Sequence, residues 1–328
     1  MKNQNYIYTD MALELRDIAL KEAQAQTING VESDEYDVLD MHVTWVKITN
    51  EAGERALGKP IGNYITMESP SLREGDIDAH ENAIKVMVEI LGKIHNLEKG
   101  ETALIVGLGN SSVSPDALGP KVVSKLLVTR HIKETLPDAL CDNVRPVAAL
   151  SPGVMGTTGV ETYETVAGLV ERIKPNLVIA IDALASRSTG RINSTIQIAD
   201  TGISPGGGVG NKRKSLSEET LGVKVISIGV PTVVDAATLA SDSIDRIIDQ
   251  MITESESGSG FYSMLQDLSG EDKYGMISEM LGPYGGNMFV TPKNVDTVID
   301  RLSNIIANAL NISLHPGLHK DDINRYVY

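Results

Sequence analysis

Two aspartates carry the chemistry this sequence offers. Asp116 sits in a polar loop that follows the apolar run Ala103-Leu104-Ile105-Val106 and the glycines Gly107 and Gly109. Asp182 follows directly on the apolar run Leu177-Val178-Ile179-Ala180-Ile181. Such continuous runs are typical of parallel-sheet strands covered on both faces. Ligands of open α/β sheets bind where loops leave the carboxyl ends of the strands. The two aspartates lie roughly two strand–helix units apart, so neighbouring strands can bring them together. Two carboxylates held close cannot both ionise easily, and one keeps its proton near neutral pH. The ionised member can then activate water while the protonated one donates to a carbonyl oxygen. The same pair would equally suit a divalent metal, and pattern does not separate the two. For Asp182 a structural ion pair with Arg187 stands as a further alternative.

The elements that must position this pair alternate strand and helix. Residues 9 to 26 predict a helix with Asp10 as its N-cap. Val43 to Ile48 and Asn63 to Met67 predict strands, forming an N-terminal hairpin. A long helix starting at Asp78 carries the stripe Ala83, Val86, Met87, Ile90, Leu91 and Ile94, with Asp78 and Glu81 at capping-box spacing. Val122 to His131 and Glu161 to Ile173 predict helices, with a strand over Val144 to Leu150 between them. Gln197 to Asn211 reads as loop. Val223 to Val230 predicts a strand closed by Pro231, with Asp235 capping the next helix. Ser257 to Gly286 reads as a mobile insertion, and Val295 to Leu310 as a last amphipathic helix. The expected architecture is a mostly parallel sheet with helices on both faces, decorated by the hairpin and the late insertion. No linker divides the chain in two.

Composition narrows the function classes. The 328 residues are 41% hydrophobic, enough for a sizeable core. No apolar run approaches the length of a membrane span, and the N-terminus lacks the apolar core of a signal peptide. A net charge of -15 argues against nucleic acid as a direct ligand. The single cysteine, Cys141, cannot form an intramolecular disulfide and reads as buried and inert in a reducing compartment. Gly107-x-Gly109-x-x-Ser112 lacks the third glycine of a dinucleotide fingerprint, and Gly210 is followed by Asn211 rather than the lysine of a phosphate loop. The six histidines show no ligand spacing. The glycine-rich stretch Ser151 to Gly159, after a strand, suggests backbone exposed to a ligand.

Several segments together resemble the germination protease family of spore-forming bacteria: YTDMALE at the start, GKPIGNYIT at 58–66, GLGNSSVSPDALGP at 107–120, SPGVMGTTGVET at 151–162 and AIDALASR at 180–187. The resemblance implies a three-layer αβα sandwich like that of the hydrogenase-maturation peptidases. It implies an aspartic-type endopeptidase whose essential residues fall on Asp116 and Asp182. It further implies a zymogen with a propeptide at 1–10 and the peptidase domain at 11–328, cut between Asp10 and Met11 by self-processing. Small acid-soluble spore proteins are the implied substrates, the forespore cytoplasm the implied location and a homotetramer the implied assembly. The loops at 107–110 and 153–159 would then line the site, with Gly109, Asn110, Gly153, Met155, Gly156 and Arg187 as substrate contacts. No cofactor, nucleic acid or membrane partner is expected. The alternative is a metal-dependent peptidase of the hydrogenase-maturation type, which a chelator would inactivate.

Overall fold

Period-two alternation along two central strands sorts the core onto two faces. In the strand Ala103–Gly107, Ala103 and Ile105 join one buried cluster while Leu104 and Val106 join another. The strand Leu177–Ser186 repeats the division, with Leu177, Ile179 and Ile181 on the first face and Val178 and Ala180 on the second. The computed structural model describes residues 9–98, 100–132, 144–205, 213–254, 279 and 288–319. Both the 257–286 insertion, apart from Glu279, and Cys141 fall outside the described residues.

In chain order the main elements are α1 (Ala12–Ala23), β1 (Val31–Val38), β2 (Met41–Ile48), α2 (Glu51–Leu57), β3 (Gly62–Glu68) and α3 (Ile77–Ile94). They continue with β4 (Ala103–Gly107), α4 (Leu118–Ser124), β5 (Val147–Leu150), α5 (Thr162–Ile173), β6 (Leu177–Ser186) and β7 (Thr195–Ala199). Last come β8 (Lys224–Asp235), α6 (Ala236–Glu254), β9 (Phe289–Val290) and α7 (Val295–Leu314). The strands form one sheet ordered β1-β2-β3-β7-β8-β6-β4-β5, with β9 added on β8. β5, β4, β6 and β8 run parallel, and β7, β3, β2 and β1 extend the sheet by antiparallel pairing. Residues of α3, α4 and α7 cover the first face, and α5 covers the second beside the parallel strands. α1 packs through Ala12 and Leu13 on Val46, Ile48 and Tyr64 of the antiparallel half. The result is an α/β sandwich with helices on both sides of the sheet. Among the described residues no helix is long and apolar enough to cross a membrane.

Five local expectations change. Asp10 does not cap α1: the N-cap is Met11, without a side-chain bond, and the Asp10 carboxylate goes elsewhere. The capping residue of α3 is Asp76, which accepts from the N–H groups of Asp78 and Ala79, so the Asp78–Glu81 box is not used. β6 does not stop before Asp182 but runs on to Ser186, and β8 runs through Pro231 to Asp235. α4 ends at Ser124, where the side chain of Lys125 turns to Asp300 on α7. Other expectations hold: Asp235 accepts from the Thr238 N–H, and the helix expected from Glu161 to Ile173 is α5, which the structure closes with a capping box of Glu161 and Glu164.

Candidate active site

The two aspartates meet because of how the chain leaves β4. From β4 it passes through α4, on the first face, to β5; it then returns through α5, on the second face, to β6 on the other side of β4. Connections departing to opposite faces open a crevice at the carboxyl ends of the strands between them. Gly107 at the end of β4 pairs with Ile181, and the Leu108 N–H donates to the Ile181 carbonyl at 2.8 Å. Asp182 is therefore the next residue along β6 from the point where the loop departs.

That loop folds back tightly. A methyl group on Gly107 would come within 2.3 Å of the Gly119 carbonyl oxygen, and one on Gly119 within 2.3 Å of the Leu108 oxygen. The two glycines thus let the start of α4 sit directly on the end of β4. Between them, Ser114–Asp116 forms a single 3-10 turn, and the Asn110 N–H donates to the Asp116 carbonyl at 3.0 Å. Gly109, with φ +108°, gives the Asp116 side chain its place: a Cβ there would lie 3.0 Å from Asp116 Oδ1. So Asp116 rests on the loop residue two after Gly107, beside Asp182 on the neighbouring strand.

Both carboxyl groups are pushed towards the neutral form. Asp182 is 7% exposed, and burial raises its pKa well above the ordinary carboxylate value; Asp116 and then Asp10 add to the rise. Burial also raises Asp116, against a lowering by the Asn110 N–H and Arg213. Such paired shifts in a cleft are what acid–base chemistry requires. They also set a stability cost. A raised folded-state pKa makes its contribution below the unfolded value of 3.8 and loses it as pH rises through the folded value. Asp182→Asn is therefore expected to be more heat-stable than the natural chain at pH 7 to 8, with the gap closing towards pH 4. Melting curves of the two proteins across that range would expose an error, since a constant gap would mean that Asp182 is not held neutral.

A cleft of about 1510 Å³ opens over the pair. Of the residues expected from sequence, Gly109, Asp116, Gly153, Asp182, Arg187 and Asp10 wall it, whereas Asn110, Met155 and Gly156 do not. Asn110 acts behind the wall, where its Oδ1 accepts from the Ser112 N–H and holds the loop. Met155 and Gly156 lie on an exposed helical turn over Met155–Thr158. The Arg187 N–H donates to Glu14 at 2.7 Å, and the charged groups acting most on Asp182 are Asp116, Asp10 and Arg213. Among the described residues no group of three or more His, Cys, Asp or Glu side chains is arranged to hold a metal ion.

Two contributors, Gln197 and Glu14, were not legible, and neither were the contacts that hold Asp10. The N-terminal segment itself lies in the cleft: the Asp10 N–H donates to the Ala185 carbonyl at 2.9 Å, and Asp10 Oδ2 accepts from the Ala185 N–H at 2.9 Å. The Gln197 side chain spans the same segment, its Oε1 accepting from the Ala12 N–H at 2.8 Å and its Nε2 donating to the Asp10 carbonyl at 3.4 Å. Glu14, buried, receives the Arg187 and Ser188 N–H groups and an Arg191 guanidinium hydrogen, which fixes α1 against the end of β6. Each depends on a partner far along the chain, and only the quoted segments YTDMALE and GKPIGNYIT pointed near them.

Comparison with known proteins supplies the relationship. The sequence profile described as germination protease matches residues 9–259 and 247–327. The chain is 49% identical over 321 residues to a germination protease of Clostridium tetani, covering 98% of this chain and 99% of that one. It is 41% identical over 358 residues to one from Bacillus pumilus, covering 98% and 96%. Among solved structures, a NiFe-hydrogenase maturation protease from Thermococcus kodakarensis superposes with a TM-score of 0.32 and 19% identity, over 67% of this chain and 98% of that one. That superposition is too loose to carry a conclusion.

Proposed function

The chain belongs to the germination protease family and is a peptidase, and we propose that it is an aspartate-dependent endopeptidase, made as a self-processing zymogen, that cuts small acid-soluble spore proteins during germination. The observation that carries the reading is that Thr9 and Asp10, which precede the Asp10–Met11 bond, wall the same cleft as Asp116 and Asp182, with Asp10 bonded to the backbone of Ala185 on β6. In this reading residues 1–10 are the propeptide, 11–328 the peptidase domain, the assembly a homotetramer and the site of action the spore core.

The chemistry follows from the unequal environments of the two carboxyl groups. Asp182, more buried and beside two other acids, keeps the shared proton. Asp116, less buried and closer to solvent, is the ionised partner. Asp116 takes a proton from water as the water oxygen bonds to the peptide carbonyl carbon, and Asp182 gives its proton to the carbonyl oxygen. The carbon–nitrogen bond then breaks as a proton passes to the leaving nitrogen, releasing a carboxylate and an amine. Gly109 and Gly153, whose backbones border the cleft, leave room for an extended peptide to approach.

The test is self-processing of the purified chain at mildly acidic pH, followed by sequencing of the new N-terminus. Met11 is expected as the first residue, at the same rate with and without EDTA. A rate abolished by EDTA and restored by a divalent metal would transfer the reading to the metal-dependent class.

A further inference from the structure

A hydroxyl relay holds the nitrogen of the Asp10–Met11 bond. The Met11 N–H donates to the Thr9 hydroxyl oxygen at 3.1 Å, and that hydroxyl donates in turn to Glu14 Oε2. Met11 is the N-cap of α1, so Glu14 is the third residue of the helix. In a capping box the acid at that position bonds the N-cap N–H directly; here Thr9 stands between them. Glu14 is buried, and the Arg187 and Ser188 N–H groups also donate to it, at 2.7 and 3.0 Å. Among the described residues Arg191 is the one cation within ion-pair distance of Glu14, at 3.3 Å. The same guanidinium serves Glu68 at 2.8 Å and Asp17 at 3.7 Å. Of these three carboxylates only Asp17 has a second cation, Arg16 at 2.9 Å. Buried carboxylates are costly unless their charge is matched, and this cluster is short of positive charge.

We propose that the cluster is a receptor for the amino terminus that self-processing creates: the Met11 ammonium takes the place of the Thr9 hydroxyl and pairs with Glu14. The proposal rests on the peptidase reading, since it needs the cut between Asp10 and Met11. As that bond breaks, the water oxygen stays on the Asp10 carbonyl carbon and a proton goes to the Met11 nitrogen. Near neutral pH the new acid gives its own proton to the amine, leaving a carboxylate and an ammonium. Thr9 belongs to the removed piece, so the Glu14 oxygen it occupied opens to that ammonium. A charge-assisted hydrogen bond then replaces a neutral one. Glu14 also offsets the unfavourable placing of a positive charge at a helix N-terminus. The charged side chains that surround the amine are Glu14 and Asp17 of α1, Glu68 of β3 and Arg191 in the turn after β6. Thr9 and Asp10 wall the cleft, whereas Met11 does not. Held by Glu14, the new terminus stays out of the space beside Asp116 and Asp182, which is left free for a second chain. Glu14 is thus a positioning residue of the cut enzyme.

The experiment reads the amine itself. The natural chain is left to process itself, and the cut protein is labelled with cyanate between pH 6 and 10. Mass spectrometry of its N-terminal fragment gives the rate at Met11, with a free peptide of residues 11–15 as reference, whose amine has a pKa of roughly 7.7–8.0. In the cut chain that pKa is expected at least about one unit higher, with labelling at pH 8 at least about 10-fold slower. Glu14→Gln should bring both close to the peptide values. Glu14→Asp, which keeps the charge on a shorter arm and serves if Glu14→Gln does not cut itself, should fall between. An amine that labels like the peptide in the natural cut chain overturns the pairing and leaves the peptidase reading standing, because the cut has occurred. Protection that stays unchanged in either variant overturns it as well, since another group then holds the amine. Absence of any cut between Asp10 and Met11 in the natural chain overturns the peptidase reading and the pairing with it.

Discussion

Asparagine at either Asp116 or Asp182 is expected to lower self-cleavage by at least about a thousandfold. The asparagine amide is nearly isosteric with the carboxyl group but can neither take a proton from water nor hold one for the carbonyl oxygen. The two groups act as one unit, so the double variant should be little worse than either single one. Mass spectrometry of the N-terminus over time measures the loss directly. Asp182→Asn must also remain folded, and relief of its buried carboxyl group predicts a higher melting temperature at neutral pH, not a lower one. A single variant that still trims itself at a natural rate would remove that aspartate from the mechanism.

Gly109→Ala is expected to reduce cleavage at least about a hundredfold without dismantling the sheet. The residue has φ +108°, and an added Cβ would fall 2.1 Å from the Asp116 carbonyl oxygen and 3.0 Å from Oδ1. Something must move, and the mobile party is the Ser114–Asp116 turn, which carries one of the two carboxyl groups. Displacing such a group by even about 1 Å costs orders of magnitude in rate. Backbone strain at such a position adds about 1–3 kcal/mol of destabilisation. Gly156→Ala is the matched control. Its added Cβ would meet nothing within 4 Å, so cleavage and melting temperature should stay close to natural. Equal losses in the two variants would show that glycine content, not the contact with Asp116, governs the site.

Much of the parallel half was legible because its residues are apolar in unbroken runs. β4 and the first half of β6 have both faces covered, and no other element tolerates such runs so briefly. The glycines around Asp116 marked a tight turn just beyond β4; Asp182 was expected at the end of its strand, whereas β6 continues through it to Ser186. The antiparallel half was less legible. β1, Val31–Val38, is mostly exposed and acidic, so it carries no alternation; its strand state comes from pairing residue by residue with β2. β7, Thr195–Ala199, is five residues long and looked like loop, yet β3 and β8 bond it on both sides.

The site divides in the same way. Residue types alone determined that this chain has two acids able to share a proton, each after a buried strand, and family resemblance attached a peptidase to them. Tertiary structure alone decided the rest. It continued β6 past Asp182, brought Asp10 to Ala185 instead of to its own helix, and set the Gln197 side chain against the backbone of Asp10 and Ala12. The physical reason is range. Apolar periodicity records which face of a segment leaves water, a local property of that segment. A carboxylate's partner is chosen by whichever donors the finished fold carries to it, and no spacing along the chain encodes that choice.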